Sequence, residues 1–305
     1  MTEAYLKRLQ VPEGKVDVIL DTDAYNEIDD QFAMAYMLKK SEKINCVGIC
    51  AAPFHNKNSS SCEDGMEKSY GEIMKLLQLM GREDMKSKVY KGSRSYLFDE
   101  RTPAESPAAE LICRLSLEYT EEKPLYIVAI GAITNVASAF IKDPSLKDRC
   151  VVVWLGGHGY HFPKGGGEFN MMQDIAAARV VMGSGVPLVQ LPCGGVVESF
   201  SVSGPELDFW LKGKNAVCDY LVDNTVREAE SYASGKPWTR VIWDLTAVAW
   251  LCNEGNRFLK SDIRNAAIPR YDLHYSFSSS TPFIRYVYQV RRDPLFRDLV
   301  ETLCL

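Results

Sequence analysis

No stretch of this chain approaches the roughly 18 consecutive apolar residues that cross a bilayer. The N-terminus, MTEAYLKRLQVPEGK, lacks the apolar core of a secretory signal, so a cytoplasmic location without a membrane partner is expected. Basic charge is not in excess: the formal net charge is −5, which argues against nucleic acid as a main partner. There is no C-x-x-C pair. The nine cysteines are odd in number, and Cys46, Cys50, Cys150, Cys218 and Cys252 sit in apolar runs, so buried, reduced thiols are expected and nothing selects one as a nucleophile. Histidine is scarce, with four in the chain. No linker, low-complexity tract or repeat interrupts the 305 residues, so one domain over 1–305 is expected. A hydrophobic content of 46% with 25% charged residues is enough for a sizeable core.

What is abundant is acid at one turn. Val16, Val18, Ile19 and Leu20 suit a buried strand, and Phe32, Ala33, Tyr36 and Met37 recur at helical spacing. A helix should therefore begin near Asp29 or Asp30, where the helix dipole favours negative charge. Asp21, Asp23, Asp29 and Asp30 then converge on one strand-to-helix turn. Ligands of open α/β sheets bind outside the carboxyl ends of strands. Four carboxylates in one crevice repel each other and would take up protons unless a cation sat among them. A hard divalent cation such as Ca²⁺, which takes roughly six to eight oxygen ligands, accounts for the cluster. The plain alternative is a helix cap with solvated turn acids.

Further strands are expected at 44–52, 89–90, 125–130, 150–155 and 186–191, alternating with helices at 65–80, 107–119, 134–141 and 173–183. That alternation predicts an α/β fold, a largely parallel sheet flanked by helices on both faces. A helical segment follows late in the chain, near 205–212, 214–234 and 241–252, then strands at 266–271 and 284–290 and a last helix near 294–302.

Several other stretches can carry chemistry. The loop GGHGYHFPKGGGEFNMMQD, from Gly156 onward, follows a strand and holds His158, His161, Tyr160, Lys164, Glu168 and Asn170. Its three consecutive glycines allow close approach to a ligand, but it has no phosphate-loop pattern. Thr134-Asn135 heads another helix; capping alone accounts for the threonine, and a carbonyl freed at such a turn is also a hard-cation ligand. Asp244, before LTAVAWL, reads first as a helix N-cap. Structural roles are the default for His55 and His274.

Taken in order, these pieces resemble the inosine-uridine preferring nucleoside hydrolase family. That family opens on an Asp-x-Asp-Pro-Gly-x-Asp-Asp turn; here Asp21 to Asp30 replaces the Pro-Gly and adds two residues. Thr134-Asn135, Glu168-Phe169-Asn170, the helix start at Asp174 and the late Asp244 follow as further landmarks. The resemblance implies a nucleoside-hydrolase-like fold and Ca²⁺-dependent hydrolysis of the N-glycosidic bond of a ribonucleoside or related N-riboside. Asp23, Asp30 and Asp244 would ligate the metal through carboxylates and Thr134 through its main-chain carbonyl. Asp29, Asn56, Glu168 and Asn170 would hold ribose hydroxyls, and Asp23 would act as general base. A homodimer or homotetramer and a role in purine and pyrimidine salvage are also implied.

The pattern departs from the family at the late helix. Many members carry His-Asp there; here it is Trp243-Asp244, and tryptophan can stack on a base but is no useful acid. Substitute acids could be His158, Tyr160, His161 or Tyr25. The lost histidine motivates a second reading, a ribose- or ribonucleoside-binding protein with a degenerate site. A third, a Mg²⁺ phosphohydrolase, rests only on Asp21-x-Asp23, which is similar to the opening of haloacid-dehalogenase-like enzymes.

Overall fold

The fold, taken from a computed structural model, is described for residues 2–305. Twelve strands form in chain order: β1 Val16–Thr22, β2 Ile44–Ala51, β3 Val89–Lys91, β4 Leu125–Ala129, β5 Cys150–Leu155, β6 Leu188–Leu191, β7 Ser201–Ser203, β8 Thr239–Val241, β9 Leu259–Asn265, β10 Ile268–Pro269, β11 Tyr275–Ser276 and β12 Phe283–Val290. Eight of them make one sheet in the order β3-β2-β1-β4-β5-β6-β12-β9. Every pairing in it is parallel except that of β9, which runs antiparallel to β12 at the edge.

The expected parallel sheet covered on both faces is therefore what forms. Successive residues of the central strands feed opposite cores. Val18 and Leu20 join the cluster on one face with Val128 and Val153, while Ile19 joins Ile127 and Val152 on the other. All of these are fully buried, as a doubly covered parallel strand requires.

Eleven α-helices flank the sheet among the described residues. Those used below are α2 Asp30–Lys39, α3 Cys62–Leu79, α4 Pro107–Ser116, α5 Thr134–Lys142, α6 Phe169–Gln173, α7 Ile175–Gly183, α8 Gly204–Leu211, α9 Ala216–Ala233, α10 Leu245–Trp250 and α11 Arg292–Cys304. α1, Glu3–Arg8, was not foreseen; the Thr2 side chain caps it.

Several boundaries differ for local reasons. α3 begins at Cys62 because Ser61 caps it, its Oγ accepting from the Asp64 N–H at 3.1 Å. The helix expected over 173–183 is α7, which starts at Ile175 because the Asp174 side chain caps it, and the short helix α6 before it falls in what reads as loop in the sequence. The region expected to be helical from 241 starts only at Leu245, after the short strand β8.

The strand expected at Ala266–Tyr271 is a correction. Only Ile268–Pro269 is extended there, paired with β11, and the edge strand of the main sheet is β9. β9 reads LKSDIRN, mostly half-exposed on both faces, so it lacks the apolar alternation that marks a strand in sequence.

The strand order reverses between β1 and β4. Both run parallel and adjacent, yet the chain leaves them toward opposite edges of the sheet. Such a switch point opens a crevice at the carboxyl ends of the strands. Its floor is stiffened by Trp154 of β5, fully buried, whose indole N–H donates to the Gly131 carbonyl at 3.2 Å. Trp154→Ala is expected to lower unfolding free energy by about 3–5 kcal/mol, the usual result of emptying a large aromatic site. A urea midpoint indistinguishable from that of the parent protein would contradict this packing.

Candidate active site

Asp23 follows directly on β1, and Asp29 and Asp30 sit at the start of α2. Asp244 stands at the N-cap of α10, over two hundred residues later. All four are buried. One carboxylate oxygen each from Asp29, Asp30 and Asp244 lies within 4.8 Å of the others. Asp23, expected among the ligands, lies outside this group of three but close enough for its carboxyl to feel those of Asp30 and Asp29, and neither of its carboxylate oxygens has a hydrogen-bond partner among the described residues. Gly131, at the end of β4, is what lets Asp23 sit there: a Cβ on it would lie 2.9 Å from the Asp23 carboxyl carbon.

Capping does not account for these acids. Asp29 and Asp244 both occupy N-cap positions, yet neither side chain makes a cap hydrogen bond. The Asp29 carboxylate instead accepts from the Asp244 main-chain N–H at 3.3 Å, tying the two helix starts together. Asp30 accepts from the Thr22 hydroxyl. Asp21 lies beside the group rather than in it, its Oδ1 accepting from Asn135 Nδ2 at 2.8 Å.

The electrostatic consequence is uniform in sign. Burial pushes Asp21 up to about 7, opposed by the Asn135 hydrogen bond. Burial also pushes Asp30 to about 7, opposed by the Thr22 hydroxyl. Asp23, Asp29 and Asp244 are held well above the ordinary carboxyl range, by burial first and by their neighbouring carboxylates next. Arg240 eases Asp29 from a distance but is ion-paired with Glu27 and Glu228.

This donor set fits a hard divalent cation. It consists of carboxylate oxygens, two of them without partners and buried. Ligands opposite one another across Ca²⁺ lie ~4.6–5.2 Å apart, twice the ~2.3–2.6 Å metal–oxygen distance, and the carboxylate spacing falls within that reach. Thr134 is buried at the first turn of α5 with Ile133 at the cap. Its hydroxyl donates to Asp174 Oδ2 at 2.7 Å, which leaves its main-chain carbonyl as the oxygen it can offer.

A cleft of about 180 Å³ opens above the acids, lined by Asp29, Asp244, Glu168, Asn170, Trp243 and His158 among others. Glu168 caps α6, accepting from the N–H groups of Gly157 (2.8 Å), Asn170 (2.9 Å) and Met171 (3.0 Å). The Asn170 amide spans the ends of two strands, donating to the Leu155 carbonyl at 3.1 Å and the Ile130 carbonyl at 3.3 Å. Asn56 is not among the lining residues; its amide donates to Asn26, and Asn26 reaches the cleft.

Of the substitute acids, only His158 lines this cleft. The Tyr160 hydroxyl donates to Gln190 Oε1 at 2.8 Å, outside it. His161 is exposed on the glycine loop, and Tyr25 borders a separate depression with Glu72 and Tyr220. Sequence reasoning missed Asn26, Glu27 and Cys193 as lining residues. The two residues added to the first turn were a signal for Asn26 and Glu27; nothing marked Cys193.

Residues 18–272 match the family model described as inosine-uridine preferring nucleoside hydrolase. The chain belongs to this family. A probable ribonucleoside hydrolase of Dictyostelium discoideum is 26% identical over 210 residues, 59% of this chain and 58% of that protein. The non-specific ribonucleoside hydrolase RihC of Escherichia coli is 32% identical over 165 residues, 52% of each chain. The matches thus span between half and three-fifths of these curated relatives. Among solved structures, a plant nucleoside hydrolase superposes with a TM-score of 0.74 at 17% identity, covering 95% of this chain and 99% of its own. A purine-preferring ribonucleoside hydrolase from Gardnerella vaginalis gives 0.72 at 18%, covering 94% and 98%. At such identities these two show a shared nucleoside hydrolase fold.

The acid cluster makes cation binding and pH interdependent. Carboxyls whose folded pKa is raised stabilise the metal-free protein below their unfolded value, and that contribution is lost as pH rises through about 7. Protons compete with a cation over the same range. Added Ca²⁺ is therefore expected to raise the melting temperature far more at pH 8 than at pH 5, by about 2.7 kcal/mol of stability at a hundredfold excess over its dissociation constant. Asp23→Asn should stabilise the metal-free protein more at pH 8 than at pH 5, by removing a buried carboxyl that must ionise as pH rises, and should blunt the Ca²⁺ response. Differential scanning calorimetry at both pH values reads both effects; an equal Ca²⁺ shift at pH 5 and pH 8 would count against the cluster as the ion's site.

Proposed function

We propose that this protein hydrolyses the N-glycosidic bond of a ribonucleoside or related N-riboside, releasing the base and free ribose, with Ca²⁺ as cofactor. The observation that carries this reading is Asp23, buried with both carboxylate oxygens partnerless beside Asp29, Asp30 and Asp244. The names of the relatives support the N-riboside class and leave the base open, since they include non-specific, pyrimidine-specific and purine-preferring enzymes.

Asp23, Asp30, Asp244 and the Thr134 carbonyl are the groups that would hold the cation. Bound there, Ca²⁺ supplies charge that grips vicinal hydroxyls and lowers the pKa of a water. Asp23 receives the proton of the attacking water as general base. Asp29, Glu168 and Asn170 orient the ribose hydroxyls, and Asn56, behind the wall, braces Asn26, which lines it. As the sugar gains oxocarbenium character, the surrounding carboxylates favour its positive charge. Trp243 forms the wall against which the base stacks. A cytoplasmic homodimer or homotetramer serving purine and pyrimidine salvage completes the reading, and no helix among the described residues is long and apolar enough to cross a membrane.

One observation favours a second reading: Trp243 stands where many relatives hold an acid, as in a site that binds ribonucleosides without turnover. A single experiment separates the two. With Ca²⁺ present, the purified protein is expected to release ribose from at least one member of a panel of purine, pyrimidine and p-nitrophenyl ribosides. Asp23→Asn should lower kcat by about 10²–10⁴-fold, the usual worth of a positioned general base, while calorimetry still detects ribose binding. Sugar binding without release from any panel member would leave the binding-protein reading standing alone.

A further inference from the structure

We propose that the preferred substrate is an N-riboside whose base carries a fixed positive charge, an N-ribosylpyridinium. The inference rests on the N-riboside hydrolysis proposed above and names its substrate class.

The cleft offers the leaving group no well-placed proton. Neutral nucleosides depart poorly unless the base is protonated, and a positioned general acid contributes about 10²–10⁴-fold. His158 is the one imidazole in the cleft, and it is fixed in an unsuitable form. Its Nδ1 accepts from the Gly194 main-chain N–H at 3.0 Å. A backbone amide can only donate, so the ring proton sits on Nε2, and a second proton on Nδ1 would face that amide head-on. The backbone cannot swing the ring away. The His158 N–H donates to the Gly165 carbonyl at 2.7 Å, and the His158 carbonyl accepts from the Tyr275 hydroxyl at 3.0 Å. The ring itself stacks on Phe162 with centroids 5.0 Å apart. Nδ1 of His158 is thus occupied as an acceptor, which leaves Nε2 as a hydrogen-bond donor.

The other polar groups do not replace it. Burial first, and the neighbouring Glu168 carboxyl next, push the Cys193 thiol well above the usual thiol range. Glu168 receives three backbone N–H groups, and Glu27 is ion-paired with Arg240 at 2.9 Å. Asp29 and Asp244 belong to the acid cluster that would hold the cation.

Among the described residues the cleft wall carries four carboxyl groups, of which Glu27 is paired with Arg240 behind it, and neither lysine nor arginine. Trp243 presents a half-buried indole on the same wall, the best of the aromatic side chains for attracting a cation over its face. A pyridinium base satisfies every element at once. It is drawn by the carboxylates, stacks over Trp243, and needs no proton to leave. Water adds to C1′ and gives its proton to Asp23. The C1′–N bond breaks with its electron pair moving to the ring nitrogen, and a neutral pyridine departs. Charge and atoms balance without a general acid.

The test uses the full chain with Ca²⁺ and compares ribose release from nicotinamide riboside, uridine, inosine and p-nitrophenyl riboside. The expected result is a kcat/KM for the pyridinium riboside at least tenfold above those for uridine and inosine. Trp243→Ala should lower it tenfold or more, and Trp243→Phe should recover most of the loss, which distinguishes stacking from a general structural effect. Uridine or inosine turned over as efficiently as the pyridinium riboside would overturn the inference, as would hydrolysis of the p-nitrophenyl riboside without that of the pyridinium riboside. Release from none of the four, the p-nitrophenyl riboside included although its leaving group needs no proton, would instead overturn the hydrolase reading itself.

Discussion

Mutual repulsion among buried carboxyl groups is the constraint on which this structure turns. Asp23, Asp29, Asp30 and Asp244 are taken out of water and brought together, with Arg240 engaged elsewhere. Burying charges that way is costly unless something of opposite sign is gathered in or protons are taken up. The rest of the fold bears the cost: a sheet whose central strands are fully buried on both faces gives the rigidity to hold like charges at close quarters. The arrangement is destabilised on its own and relieved by what binds, the relation expected of a site rather than of a surface feature.

The topology explains how distant residues meet. β1 and β4 are neighbours at the reversal of strand order, so the turns that follow them open into the same crevice. Asp23 comes from the first turn and Gly131 from the second, close enough that a Cβ could not be added between them. α10 then brings Asp244 across the mouth, where its main-chain N–H meets the Asp29 carboxylate. Around this, Asp174 acts as a concealed fastener. It caps α7, fixes the Thr134 hydroxyl and accepts from the Leu97 N–H at 2.9 Å, so three separate segments share one carboxylate.

The parts legible in the sequence were those with a strong local signal. The apolar runs of β1, β2, β4 and β5 announced a parallel sheet because strands buried on both faces have no polar register to confuse the pattern. The acids of the first turn were conspicuous by number. Asp244 was not, since one aspartate before an apolar helix looks like a cap; only the resemblance singled it out, and only the structure places its side chain in the cluster without a cap bond. β9 was lost because LKSDIRN is an edge strand with little apolar surface. The short helix α6 was hidden because it falls in what reads as loop in the sequence. Asn26 took the cleft position expected of Asn56 through a side-chain contact 30 residues apart, which no local pattern encodes.

Glu168 has a further consequence. It lines the cleft while its two oxygens clamp the N–H groups of Gly157, Asn170 and Met171. Gly157 is the residue before His158, and the Gly157 carbonyl in turn receives the Cys193 N–H at 2.8 Å. Anything that draws on Glu168 would therefore act on the same peptide links that seat His158. The two sides of the cleft are joined by a lever one residue long, so whatever seats against Glu168 is felt at His158.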